Sequence, residues 1–539
     1  MTTKPSTSRH RRSRRRRGVA VGIGAMLVSA LLPLGASAEA ATTPLGYDPA
    51  TDGGSLSVIS RIVGAQSMWE RGYTGKGVDV AVIDTGVSRV PGLAATGKVI
   101  DGADLSFDSQ NAAFSYVDGF GHGTMMASII AGTDVAPGTS ADKCKTCLVS
   151  SAYSDTTKFV GIAPEARIVN VKAGASDGST DVSQVIAAID WVVQHRHDNG
   201  MNIRVINLSY GTDSTQAASI DPLAYAAEVA WRNGIVVVAS AGNEGLKTTS
   251  LADPAYNPTI LAVGASDDNN TVSLDDDTIP SFAQHGNGTR KVDVVAPGSH
   301  VLGLKVPGSF VDTSVTTGKV GTRFQRGSGT SEATAVVSGV AALLLQKFPT
   351  ATPDQIKAIL TSTAQRTQST ATVPPALLPL AEMVLSWWQG NGVVDADAAG
   401  SLMAPPVVAA LAVYGTGLGS LEAARGTAHV VSNGVALTGE KDVRSTPWDG
   451  LRWSTSAFAG LSWSGGKWNG IRWAGDSWSG LRWSTAAWAG NDWAGLRWSG
   501  IRWSSMMWDG IRWAGNGWDG LRWSAGSWDG IRWSSASWD

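Results

Sequence analysis

Three polar residues stand in short contexts where they could carry acyl-transfer chemistry: Asp84 in AVIDTG, His122 in GHGTMMASIIAG and Ser331 in GSGTSEATAVVSGVAALLL. Singly, each has an ordinary structural reading. An Asp after an apolar run is a turn or cap residue, a His before a helical stretch is structural, and a Ser after Gly-Thr is a routine N-cap. Together they supply the parts of nucleophilic catalysis. A serine hydroxyl is a poor nucleophile at neutral pH, and imidazole, which titrates near pH 7, is the base that activates it. A buried carboxylate on the far ring nitrogen holds the tautomer and stabilises the imidazolium that forms. On that chemistry Ser331 attacks, His122 shuttles the proton and Asp84 orients His122.

Such side chains must be held by rigid elements. From about residue 58 to 400, short valine-rich runs alternate with helical stretches. VDVAVID, RIVNVKA, RVINLSYG and GIVVVASAGN read as buried strands, and VSQVIAAIDWVVQHRH and PLAYAAEVAWRNG read as helices. Continuous apolar strands separated by helices predict an α/β fold, a parallel sheet with helices on both faces. Asp84 then falls at the C-terminal end of the first strong strand, and His122 and Ser331 at helix starts. A helix N-terminus aims backbone N–H groups at developing negative charge.

The order Asp, His, Ser, and the local contexts, carry a resemblance to the subtilisin-like serine peptidase family. It rests on VAVIDTGV, HGTMMASIIAG, GIAPEARIVNVKA, VINLSYG, VVVASAGNEG, DVVAPG and GTSEATAVVSGVAALL, in the family's order between residues 64 and 399, with GNGVVDADAA similar to its closing segment. The resemblance implies a subtilisin-like fold and a serine endopeptidase acting on polypeptides, with no cofactor required for the chemistry. It implies that Asn243 and the Ser331 backbone N–H form the oxyanion site. It further implies that Ser209, Tyr210 and Gly211 offer an edge to which substrate adds as a strand, and that Ser240 to Gly242 wall the pocket for the side chain before the scissile bond. Structural calcium is common in the family. The run from Asp267 to Thr278, DDNNTVSLDDDT, is acidic enough to hold it, but a solvated surface loop is the preferred reading.

The sequence departs from the family in several places. Glu332 follows the nucleophile where a neutral residue is usual, and Thr334 is followed by Ala335 instead of proline. Fewer than 30 residues separate Ala38 from the catalytic region, too few for an inhibitory pro-domain, so folding is unassisted or the C-terminal region has a related role. A polar insert between the His122 helix and GIAPEAR holds the only two cysteines, Cys144 and Cys147. In an exported chain the default for CKTC is a local disulfide, with free thiols as the alternative.

Export is written at the front. Residues 1–38 combine Lys4 and seven arginines with an apolar run and an Ala36-Ser37-Ala38 cleavage pattern, which predicts a signal peptide and a secreted or cell-surface protein. The whole chain carries a charge of −2. Loss of the leader's cations makes it more acidic, which argues against nucleic acid as a partner. No later segment reaches the length of a membrane span.

Residues 39–57 are expected to be a flexible lead-in, 58–400 the peptidase domain, 401–447 a small connector and 448–539 a repeat array. From Trp448 to Trp538 an aromatic residue falls on every fifth position, and the array holds most of the chain's 23 Trp. Steps of five spread residues around a helix, and Gly recurs in each unit, so short strands stacked as a β-type array are expected. An autonomous array would let the chain be cut near Glu440 with hydrolysis intact. Its Trp either form the core of a purely structural stack or, in the functional reading, present faces that suit a cell-wall or polysaccharide surface. A chain that had lost peptidase function would keep only that binding role, the alternative to a secreted enzyme.

Overall fold

The computed structural model describes residues 45–111, 113–136, 150–287, 289–367, 378–409, 414–432, 435–443, 445 and 447–458, with four short strands in the Trp-rich array. The signal peptide, Cys144, Cys147 and most of the array lie outside the described residues. Among these no helix is long and apolar enough to cross a membrane.

In chain order the elements are helices α1 (Leu56–Ile62) and α2 (Ala65–Glu70), strands β1 (Asp79–Asp84) and β2 (Val99–Asp104), helices α3 (His122–Ala131) and α4 (Ser150–Tyr153), strand β3 (Arg167–Lys172), helix α5 (Val182–His195), strands β4 (Ile203–Leu208) and β5 (Tyr210–Gly211), and helix α6 (Pro222–Arg232). Strands β6 (Val236–Ser240), β7 (Leu261–Ser266), β8 (Val294–Pro297) and β9 (Val301–Leu304) follow, then helix α7 (Phe310–Ser314), strands β10 (Lys319–Val320) and β11 (Phe324–Gly327), and helices α8 (Thr330–Lys347), α9 (Pro353–Thr363), α10 (Leu378–Gln389) and α11 (Ala396–Ser401). Seven strands form one parallel sheet in the order β2-β3-β1-β4-β6-β7-β8. β1 is buried at every position, as its unbroken apolar run requires when both faces are covered. Helix α3 packs with α8, and α5 packs with α6. α8 is buried around its whole circumference from Thr330 to Leu345, which suits its run of small and apolar residues.

Residues 45–57 of the lead-in are held in place, unlike the flexible tether its composition suggests. Asp52 forms a two-pronged ion pair with Arg326, at 2.9 and 2.5 Å, Tyr47 packs edge-on against Phe324 with ring centroids 5.4 Å apart, and Ser55 caps α1.

The connector is likewise part of the domain. It holds α12 (Leu421–Arg425) and strand β12 (His429–Ser432). The Arg425 guanidinium is fully buried against the equally buried Asp181, at 2.7 Å. The Thr212 hydroxyl donates to the Ala424 carbonyl at 2.6 Å, and Asp213 accepts from the Thr427 amide at 2.7 Å. The first repeat unit then departs from the expected strands and forms α13 (Gly450–Phe458). Asp449 accepts from the Arg452 amide at the helix start, and Trp453 is buried, its Nε1 donating to Asp190 at 2.8 Å and its ring lying edge-on to Tyr225. Trp453 and Ala457 are one turn apart on the buried face, so packing against α6 overrides the glycine. In the rest of the array the described pieces are strands. Lys467–Trp468 pairs with Ile471–Arg472, Arg497–Ser499 with β12, and Arg502–Trp503 with β5.

Candidate active site

β1 delivers Asp84 to the C-terminal edge of the sheet, where its neighbours β3 and β4 mark the reversal of strand order, the usual place for a site in such sheets. The first turn of α3 is pressed against it. A Cβ on Gly123 would stand 2.2 Å from the Gly86 carbonyl oxygen and 3.0 Å from the Asp84 Cβ, so only glycine permits this approach. His122 Nδ1 lies 2.8 and 2.9 Å from the two Asp84 carboxylate oxygens, with both side chains fully buried. Burial alone would lower the imidazole pKa. The charge and hydrogen bond of Asp84 outweigh it, helped by Glu332 and Asp118, and the pKa ends above its ordinary value.

Asp118 is a residue that the sequence reading missed. Gly121 precedes α3 and has no side chain to cap it, and Asp118 does so from three residues back. Its carboxylate accepts from the Gly121 amide at 2.6 Å, the Thr124 amide at 2.7 Å and the Thr85 hydroxyl at 2.8 Å. The signal available was an Asp shortly before a helix start that lacks its own cap.

Ser331 is the second residue of α8, whose N-cap residue Gly329 has no side chain to cap it, and its carbonyl accepts a hydrogen bond from the Ser209 hydroxyl at 3.3 Å. Asn243 reaches the same turn. Its Oδ1 accepts from the Thr330 amide at 3.0 Å and the Thr330 hydroxyl at 3.1 Å. Its Nδ2 is buried without a hydrogen-bond partner among the described residues. That donor is available to an incoming group.

An open cavity of about 540 Å³ is lined by Gly211, Thr212, Asp213, Gly242, Asn243 and Glu244, among others. The cleft therefore brings together Gly211, Gly242 and Asn243. Ser209, Tyr210 and Ser240 are buried and are not among its lining residues. A larger cavity of about 660 Å³, around Arg196, Arg204 and Arg232, contains none of the sequence candidates. The acidic run lies at the surface, with Asn269, Asn270, Val272, Ser273, Asp275, Asp276 and Thr278 exposed, but Asp268 and Asp277 are buried within it, and no three acidic, His or Cys side chains converge among the described residues.

The profile of the subtilase family, Peptidase_S8, matches residues 75–378. The chain is 38% identical over 293 residues to the serine protease AprX of Bacillus subtilis (strain 168), spanning 53% of this chain and 61% of that protein. It is 34% identical over 312 residues to subtilisin BL of Lederbergia lenta, spanning 58% of this chain and 92% of that protein. Its match to M-protease of Shouchella clausii (strain KSM-K16) spans 63% of that protein's length. Among solved structures, a cold adapted subtilisin-like serine proteinase aligns at 29% identity and a TM-score of 0.39, over 55% of this chain and 84% of that one.

Proposed function

Because the chain belongs to the subtilase family, we propose that it is a serine endopeptidase that hydrolyses polypeptides through Asp84, His122 and Ser331. An extended substrate lies along the Gly211 and Gly242 walls of the cleft. His122 Nε2 takes the Ser331 proton as Oγ attacks the scissile carbonyl carbon. The carbonyl oxygen, now negative, accepts from Asn243 Nδ2 and the Ser331 backbone N–H. Asp84 stabilises the imidazolium, which then protonates the leaving amine as the C–N bond breaks. Water, activated by the same imidazole, cleaves the resulting ester and restores Ser331.

The observation that carries this reading is the buried Asp84–His122 pair at 2.8 Å. A buried imidazole bonded to a carboxylate through Nδ1 keeps Nε2 as its basic nitrogen, the state a general base needs. A serine-directed phosphonate should label the wild-type chain and leave Ser331→Ala unlabelled and inactive, with its fold intact. Turnover by Ser331→Ala at the wild-type rate would refute the assignment.

The leader and the array extend this reading to a secreted enzyme held at a cell-wall or polysaccharide surface. Co-sedimentation of the Ser331→Ala chain with insoluble cell-wall material tests the second part. A chain that stays in the supernatant would leave the array without that role.

A further inference from the structure

Glu332 has no place in the mechanism above, yet its side chain is fully buried on the first turn of α8, next to the nucleophile. Two neighbours locate its carboxylate. A Cβ built on Gly327 would meet Glu332 Oε1 at 2.1 Å and Met125 Cε at 2.5 Å, so the carboxylate and the methionine methyl both press on the end of β11. Met125 lies one turn beyond His122 on α3, and His122, Met125 and Gly327 line one small cavity. The Glu332 carboxylate therefore lies against the Gly327 wall of the cavity that His122 lines, approaching from α8, while Asp84 bonds the imidazole from β1.

The charges around His122 are one-sided. Asp84 bonds it from β1, and the charges of Glu332 on α8 and of Asp118 in the turn before α3 act on it in the same direction. The one cation lining the same cavity, Lys305, is engaged by Asp312 at 2.9 Å. A neutral imidazole gains little from a neighbouring carboxylate, but an imidazolium gains much, and the imidazolium exists only once the serine proton has moved. A carboxylate in this position stabilises the imidazolium, both in the transition state and in the enzyme protonated at acid pH, and does little for the neutral imidazole.

We propose that Glu332 is a positioning residue that, together with Asp84, holds the His122 imidazolium during acyl transfer and sets the acid limit of activity. This rests on the serine-peptidase reading. The raised pKa of His122, to which Glu332 contributes after Asp84, agrees with it. Glycine at 327 belongs to the same device, since any side chain there would displace the carboxylate.

The test is Glu332→Gln, which keeps the volume and removes the charge, with Glu332→Asp as the variant that keeps the charge. Histidine NMR titration in a Ser331→Ala background reads the His122 pKa whether or not the chain turns over. The expected result is a fall of about one unit in the Gln variant and little change in the Asp variant. In the active chain, the acid limb of kcat/KM should move to lower pH by the same amount. The plateau kcat should fall several-fold while KM for a short peptide holds, so that the two pH profiles cross. A merely structural role would lower the whole curve without moving its limb. An unmoved His122 pKa in Glu332→Gln would overturn the proposal while leaving the peptidase reading intact. Failure of phosphonate labelling in the wild type would overturn the peptidase reading instead.

Discussion

Asn243 is oriented by two donors from a single residue. The Thr330 backbone amide can only donate, so the atom it meets at 3.0 Å must be the side-chain carbonyl oxygen, and the NH₂ is turned the other way. Asn243→Ala is therefore expected to lower kcat by roughly 10²–10³ with little change in KM, measured on a chromogenic peptide, because the donor is engaged only when charge develops on oxygen. Asp118 acts one residue further out. Asp118→Ala removes the cap of α3 and is expected to cost about 1–2 kcal/mol by thermal unfolding, with a loss of kcat as His122 shifts. Asp118 was not legible as a site residue because its partners, Thr85, Gly121 and Thr124, converge only when β1 and α3 meet.

At the scale of elements, the loop from Asp267 to Thr278 is closed by paired backbone bonds between its two ends, and it buries Asp277 and most of Asp268. Burial, with neighbouring carboxylates adding, pushes Asp268 up to about 6 and Asp277 up to about 7. Carboxyls with raised folded-state values stabilise the fold when protonated. Their contribution is present at acid pH and is lost as pH rises from the ordinary carboxylate range through 6 and 7. Asp277→Asn should thus gain in Tm relative to the parent as pH goes from 5 to 8, measured in the Ser331→Ala background. A difference independent of pH would count against the buried pair, and calcium bound there would abolish the slope. Composition showed an acidic stretch, but which acids would be buried depended on how the loop folds over.

At the scale of the molecule, the peptidase domain is larger than its motifs. Residues 45–55 and 414–458, outside the stretch matched by the family profile, are packed into it through Asp52–Arg326, Arg425–Asp181 and Trp453–Asp190. A cut near Glu440, harmless if the array were autonomous, would remove Trp453 from the core. That truncation is expected to lose about 3–5 kcal/mol from the Trp453 site alone and to be poorly soluble, whereas a chain ending after Phe458 should fold. Because Arg502–Trp503 pairs with β5, the edge proposed to receive substrate, the chain ending after Phe458 is also expected to show a lower KM for long peptides. Arg425→Ala, which strands Asp181 as a buried charge, should cost about 3–5 kcal/mol. Soluble yield, chemical denaturation and peptide kinetics check these outcomes.

The sequence by itself determined the alternating α/β plan, the strand that carries Asp84, the helix starts that carry His122 and Ser331, and the turn after a buried strand that carries Asn243. These are local matters: valine runs form buried strands, and caps and glycines mark helix ends, wherever the chain goes afterwards. Only the tertiary structure decided what depends on distant partners. Ser209 supports the Ser331 carbonyl beneath the cleft and does not line it, the lead-in and connector are folded in, and the first tryptophan repeat is helical. It also set the Glu332 carboxylate against Gly327, in the wall of the cavity that His122 lines. A polar or glycine-rich segment looks the same in sequence whether it is solvated or gripped, and the difference lies in a buried counter-charge or aromatic pocket far away along the chain.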